Sequence, residues 1–390
     1  MPVRKAATTV SKKSSGSVNH FPRTSGLKYY VGAHISTAGG VENAIPNALK
    51  LGCNAFAFFP KNQRRWSSAP YKKENIDGFH SNCSHDHFNA KKELLPHGSY
   101  LINLGNPDAA KRKQSQESFE DDLTRCEQLG VGLYNLHPGS AVGGADKNAT
   151  IKHIASGINK GIAATKFIKV VLENMAGHGH IIGSNLQDLA DIIELVKDKS
   201  RIGVCIDTCH TFAAGYDIRN QKTFDEFWTK FDEIVGYQYL AGIHLNDSKA
   251  PLGSKRDLHQ NIGLGFLGLE TFRLIMNKEE LQGIPMILET PIPNEEKVNK
   301  GLEADIRGEE VKLLEWLIGK DVDDKEVIEK SEELQNKGER ERKEHQEKFD
   351  KKKEKEEASL SKKRKNTVDL DFFAPKKRGS TKKAKKEESE

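Results

Sequence analysis

Between residues 29 and 291 the chain alternates short apolar, β-prone runs with longer amphipathic stretches. The runs are VGAHIS, AFAFFPKNQRRW, LLPHGSY, LYNLHPG, VVLENMAG, GVCIDTCH, GIHLNDS and MILETP, eight in all. In the intervening stretches apolar residues recur three or four apart, as in Phe119, Leu123, Cys126 and Leu129, or Leu186, Leu189, Ile193 and Val196. That spacing predicts helices with one buried face over 117–129 and 186–196. Apolar β-branched runs alternating with such helices predict a parallel sheet covered by helices. Eight units of this kind predict an α/β fold, a closed (β/α)8 TIM barrel, whose chemistry gathers at the C-terminal ends of the strands.

The pattern fails at both ends, which divides the chain into three parts. Residues 1–27 are rich in Ser, Thr, Lys and Arg and contain no Asp or Glu. They read as a disordered basic arm, although a mitochondrial presequence shares this character. Residues 28–320 form the barrel domain, a usual size for the fold. In the last 70 residues, from Asp321, there are 22 Lys or Arg and 20 Asp or Glu. A segment so charged buries too little apolar surface to offset its chain entropy. Residues 325–357 read as a solvated charged helix and the end as disordered. The clusters at 362–365, 376–378 and 382–386 read as nuclear-import signals, with a solubilising tail as the plainer alternative. Leu370, Phe372 and Phe373 stand out as a short apolar docking peptide.

Composition narrows the class without naming a function. The five cysteines show no paired CxxC spacing and read as reduced thiols rather than a disulfide frame or a zinc finger. No apolar stretch reaches the roughly 18 residues that a membrane helix needs. A net charge of +5 is too small to identify a polyanionic partner.

The runs end on chemistry. His34, His97, His137, Glu173, Asp207 with His210, His244 and Glu289 lie at or within one turn of seven run ends. The second run offers Lys61, Asn62, Gln63 and Arg64 instead. Asp257 and His259 in RDLH are two apart, so an extended backbone turns both to one side. Any one of these histidines alone reads best as a hydrogen-bonded structural residue; five of them converging with four carboxylates do not. Mixed nitrogen and carboxylate ligands without thiolates suit Zn, Mn or Fe, and nine of them are too many for one tetrahedral ion. His20, His80, His85, His87, His153 and His345 read as surface residues. His178 and His180 lie in a glycine-flanked loop, where solvent exposure and a phosphate contact are both open. GLGFLG (Gly263, Gly265, Gly268) follows no strand and is a poor dinucleotide signal. A backbone contact to phosphate and a plain loop-to-helix turn are equal readings of it.

Taken together, GAHIS, FPKNQRRW, LPHGSYLINLGNP, LHPGS, LEN, GVCIDTCHTFAAGYD, HLNDSK, RDLH and ILETP resemble the endonuclease IV family of zinc-dependent apurinic/apyrimidinic (AP) endonucleases. The resemblance covers residues from about 28 to 318, and the lysine-rich extension is most similar to that of fungal members. It implies three Zn2+ ions per chain. His97 and His137 would hold one, with Glu173 bridging to a second completed by Asp207, His244 and Glu289. His210, Asp257 and His259 would hold the third. It further implies that Arg64, Tyr100 and Leu101 wedge into duplex DNA, with Gln63 and Arg65 on the backbone. Core packing is the competing reading of Tyr100 and Leu101. His34 and Asp247 would orient ligands or substrate. The implied activity is hydrolysis 5′ to an abasic site by a metal-bound hydroxide, of the deoxyribonuclease IV type. The products would be 3′-hydroxyl and 5′-deoxyribose phosphate ends, and blocked 3′ ends would be trimmed by the same chemistry. The implied partner is double-stranded DNA with abasic sites or blocked 3′ ends, for a monomer; the tail's lysine clusters, outside the resemblance, add the nuclear import machinery and a nuclear location, and the presequence reading of the arm would add the mitochondrion. A two-metal sugar isomerase and a non-catalytic DNA-binding scaffold are the rival readings.

Overall fold

A computed structural model describes residues 21–292 and 302–372. Seven parallel strands form one sheet: β1 (Tyr30–His34), β2 (Ala55–Ala57), β3 (Leu133–Leu136), β4 (Lys169–Glu173), β5 (Ile202–Asp207), β6 (Leu240–Leu245) and β9 (Pro285–Leu288). Their order is β2-β1-β9-β6-β5-β4-β3, while β7 (Asp247–Ser248) and β8 (His259–Gln260) make a separate antiparallel pair. The sheet would have open edges at β2 and β3 without residues 93–98. Phe56 bridges Leu94 and His97 bridges Asn135, both in parallel sense. Leu95 donates its amide to Phe56 O at 3.1 Å, and Asn135 donates to Pro96 O at 2.8 Å. This segment is the eighth stave, and it closes the TIM barrel. Pro96 has no N–H to give, so the ladder here is reduced to bridges rather than a continuous strand.

Side chains alternate between the two faces of each strand. Outward residues such as Phe56, Val170, Leu172, Val204 and Ile206 pack under the helices in the main core. Inward, Ala55, Ala57, Leu95, Val171, Cys205 and Ile287 form a second, smaller cluster. Gly242 completes it, because a Cβ there would lie 2.6 Å from Leu95 Cδ2. The two predicted helices are present. Ala109–Gln128 buries Phe119, Leu123 and Cys126 after an Asp108 cap that accepts from Ala110 and Lys111 amides. Leu186–Leu195 buries Leu186, Leu189, Ile192 and Ile193. All five cysteines are buried and unpaired. No helix among the described residues is long and apolar enough to cross a membrane.

The boundary placed at 320 needs correction. The helix Lys325–Phe372 does not leave the barrel at its start. Val327 and Leu334 are buried. Gln335 donates to Gly263 O at 2.7 Å, and Arg342 donates to Leu264 O at 2.7 Å. Glu341 pairs with Lys249 at 2.9 Å and bonds Gln260. Averaging charge over the segment hid a docking stripe of few apolar residues at helical spacing. A chain ending at 320 is therefore expected to melt roughly 5 °C below one ending at 345. Two buried aliphatics and a few hydrogen bonds are worth roughly 3 kcal/mol or more. Calorimetry of the two truncated chains checks this, and equal melting temperatures would contradict the docking.

Candidate metal centre

The same two-residue period that builds the inner cluster places the polar side chains one layer above it. Leu95 is followed on the inner face by His97, Asn135 by His137, Val171 by Glu173, Cys205 by Asp207, Gly242 by His244 and Ile287 by Glu289. Six staves thus aim imidazoles and carboxylates at one mouth of the barrel. Asp257 joins them from the loop between β7 and β8, His259 from the start of β8, and His210 from the first turn of Thr208–Ala214. Asp207 caps that helix by accepting the His210 amide at 2.7 Å, which fixes both residues by one local motif.

The side chains fall into groups whose ligand atoms lie within 4.8 Å of one another: His97, His137 and Glu173; Glu173, Asp207, His244 and Glu289; and His210, Asp257 and His259. A fourth such group, Asp207, Cys209 and His259, overlaps these. Its thiol sits 3.6 Å from Leu258 O. Glu173 Oε2 lies 3.2 Å from His97 Nε2 and 3.6 Å from His137 Nε2. Its Oε1 lies 3.1 Å from His210 Nδ1 and 3.3 Å from His244 Nδ1. Asp257 Oδ1 is 3.2 Å from both His210 Nε2 and His259 Nε2.

Burial alone would raise the Glu173 carboxyl, but His244 and His137 nearby and the contacts with His210 hold it well below the usual carboxylate range. For Glu289 the opposing balance, led by His244 and His97, ends at about 2. Burial pushes His137 down to about 4. It would lower His259 too, yet Asp257 and Asp207 carry that ring up to about 9.

Several of these atoms have no hydrogen-bond partner among the described residues: Glu173 Oε1, His210 Nε2, His244 Nδ1 and Nε2, and His259 Nε2. Leaving a buried donor or acceptor unpaired costs about 1–3 kcal/mol. Five in one pocket, all on metal-ligating types, fit divalent cations that would accept their lone pairs.

Three asparagines missed in the sequence hold the ligands in place. Asn135 Nδ2 donates to Glu173 Oε2 at 2.6 Å. Asn246 Nδ2 donates to Asp207 Oδ2 at 2.7 Å, while its Oδ1 accepts the Glu289 amide at 3.0 Å. Asn174 Oδ1 accepts the Asp207 amide at 2.7 Å. Their signal was an amide side chain in otherwise apolar run ends, YNLH, LEN and HLN. Groups that orient ligands typically cost ten- to a hundredfold when removed. Asn135→Ala and Asn246→Ala are accordingly expected to lower turnover about 10- to 100-fold while leaving the circular dichroism spectrum unchanged. Full activity in both would deny them a positioning role.

Other expected residues find different places. Asp247 is fully buried, but its oxygens accept the amides of Ser248, Gly265 and Leu267 at 2.7–2.9 Å. It orders the GLGFLG loop rather than reaching a substrate. The same bonds remove the Gly265 and Leu267 amides from any phosphate site, and a Cβ at Gly265 would lie 2.3 Å from Asp247 Oδ1. The loop reading of GLGFLG stands. The His34 ring lies 4.4 Å from that of Phe59, tilted by 48°, beside the groups without joining them. Lys61 is buried in ion pairs with Asp121 at 3.0 Å and Asp122 at 3.2 Å, so it anchors its loop. His80, His85, His87, His178 and His180 are exposed, and His153 and His345 half-buried; His20 lies outside the described residues.

At the rim, Tyr100 is 57% and Leu101 37% exposed, which rules out core packing for both. The Tyr100 ring lies 5.2 Å from His97 and 5.4 Å from His137. Gln63 O accepts from Ser99 Oγ at 2.8 Å, tying the Gln63–Arg64–Arg65 loop to the Tyr100 turn.

The profile of the xylose isomerase-like TIM barrel family matches residues 45–308. Apurinic-apyrimidinic endonuclease 1 of Saccharomyces cerevisiae is 54% identical over 300 residues, covering 77% of this chain and 79% of its own. The probable endonuclease 4 of Campylobacter hominis is 46% identical over 288 residues, 74% of this chain and 98% of its own. The chain belongs to the endonuclease IV family. The crystal structure of endonuclease IV from Thermus thermophilus superposes with a TM-score of 0.60 at 29% identity, covering 72% of this chain and 99% of that one. A D-tagatose 3-epimerase-like protein, 17% identical with a TM-score of 0.54, shares the fold alone. Membership accounts for the barrel.

Proposed function

We propose that this chain is an AP endonuclease that hydrolyses the phosphodiester 5′ to an abasic site in duplex DNA and trims blocked 3′ ends. The observation that carries the reading is Glu173, a buried carboxylate shared between two ligand groups in a chain of this family. His97, His137 and Glu173 would hold one zinc ion, Glu173, Asp207, His244 and Glu289 a second, and His210, Asp257 and His259 a third. Bound there, the ions would supply water activation and neutralise charge on the phosphate.

The chain's own residues do the rest. Asn135 fixes the Glu173 carboxylate and Asn246 that of Asp207, so little reorganisation is needed as charge develops. Among the described residues, buried Lys61 is committed to two aspartates and the Cys209 thiol to Leu258 O, so neither is set up as the attacking group. Water attacking phosphorus in line expels the 3′-oxygen of the preceding nucleotide, leaving 3′-hydroxyl and 5′-deoxyribose phosphate ends. Exposed Tyr100, Leu101 and Arg64 would fill the gap in the duplex while the baseless sugar turns into the mouth, a movement cheaper without a base to unstack. We further assign the tail's lysine clusters to nuclear import and keep the basic arm as a mitochondrial address; the clusters at 376–378 and 382–386 lie outside the described residues.

End-group analysis on a duplex with one abasic site tests the reaction. The expected product is a nick that a polymerase extends directly, with no adduct trapped by borohydride. An unsaturated 3′ aldehyde as main product would instead indicate a lysine-dependent lyase. Tyr100→Ala is expected to raise KM for abasic duplex about tenfold or more, since stacking on a base is worth about 1–3 kcal/mol. Unchanged KM would remove Tyr100 from recognition.

A further inference from the structure

The helix Lys325–Phe372 runs up the outside of the barrel and does not stop at its rim. Its beginning lies near Lys320, whose carbonyl accepts from Arg273 on the helix Gly268–Ile275. Leu334 and Gln335 meet Gly263, and Glu341 reaches Gln260 and Lys249 on the catalytic rim. From there the helix continues to Phe372, roughly 45 Å further at about 1.5 Å per residue, beyond the face that carries the ligand groups.

Charges on the exposed part above the rim are sorted by face. Taking about 100° per residue, Lys348, Lys351, Lys352 and Lys355 fall within about 100° of arc, with Glu356 at its edge 3.7 Å from Lys352, while Glu347, Asp350, Glu354 and Glu357 lie on the other side with Lys353. The lysine face continues the line of Glu341 and His345, the side on which the helix rests on the barrel. Past the rim that side of the helix is turned toward the barrel axis, with its lysines exposed. His345 marks the junction: burial, then Lys348, Arg256 and Lys249, lower its affinity for a proton, against the pull of Glu341. Lys255 and Arg256, exposed just before Asp257, extend the cationic surface to the site itself. The family profile ends at residue 308, and a bacterial relative is matched over 98% of its length within 288 residues of this chain, so the projecting part is an addition to the family barrel.

We propose that the face of residues 345–357 carrying Lys348, Lys351, Lys352 and Lys355 forms a cationic post beside the catalytic mouth that holds the sugar–phosphate backbone of a bound duplex. This rests on the DNA reading above. Sorted lysines on that side are complementary to a polyanion lying across the mouth, and their continuity with Lys255 and Arg256 selects duplex DNA over a separate protein partner. The contact carries no sequence information; it adds affinity through counterion release.

The test uses the full chain and an undamaged duplex, with abasic incision assayed in parallel on wild-type protein. Lys348, Lys352 and Lys355 are changed together to Gln, a comparable helix former. Circular dichroism verifies that the helix persists. Each lost phosphate contact flattens the log–log salt slope by about 0.9, so the slope should fall by about 2 to 3 and Kd rise about tenfold near 0.1 M salt. A second variant neutralises Glu347, Asp350 and Glu354 and should change Kd by less than about threefold. Unchanged Kd and slope in the lysine variant, as for a tail serving only protein partners, would overturn the proposal. Equal and opposite shifts in the two variants would also overturn it, by reducing the effect to net charge. Wild-type protein that binds duplex through these lysines yet leaves abasic sites intact would overturn the proposed function and leave the post standing.

Discussion

Glu173→Gln is expected to lose at least about a thousandfold in incision rate while binding duplex DNA within a few fold of wild type. The loss should exceed the ten- to hundredfold typical of groups that merely orient a ligand. Glu173 is 1% exposed, and both of its oxygens face imidazoles from three other staves and one helix. Converting one oxygen to an amide halves the acceptor capacity and removes the charge those histidines surround. Affinity for DNA comes mainly from phosphate contacts at the rim, which the substitution does not touch. Single-turnover incision together with binding isotherms separates the two effects. Cleavage within tenfold of wild type would remove Glu173 from the centre of the reaction.

Chelator-stripped protein is expected to melt about 10 °C or more below the zinc-loaded form. Without ions, Glu173 and His244 remain at no more than 1% exposure with unpartnered atoms. A single ligand present at about a thousand times its Kd stabilises a fold by about 4 kcal/mol, and three sites add to that. For a domain of this size each kcal/mol moves the midpoint by about 2 °C or more. Calorimetry before and after removal of metal, with elemental analysis of the loaded form, checks both stability and the count of three. Identical melting curves would mean that the cluster is satisfied without ions.

Much of this was legible in the sequence because strands report in steps of two. Once Val171 and Cys205 point inward, Glu173 and Asp207 must follow, and eight such runs leave a barrel as the natural closure. What was not legible depended on partners distant in the chain. Asp247 sits beside the ligands in HLNDS, yet its carboxylate is taken by amides some twenty residues on. Lys61 stands among polar loop residues, and its aspartates arrive from another helix. The asparagines looked like ordinary run-end polarity until their amides were placed against carboxylates. The domain boundary was hidden differently: Val327 and Leu334 are too few to lift the average of a segment dominated by charge.

Seven of the eight staves are joined by continuous ladders, whereas the stave around Pro96 is held to its neighbours by isolated bridges. This is the seam at which the barrel would part most readily. His97 belongs to the seam stave, and the groups it faces, His137 and Glu173, belong to the wall beyond it. An ion gripped by those three side chains would act as a clasp across the joint, so filling that site and locking the barrel shut would be a single event.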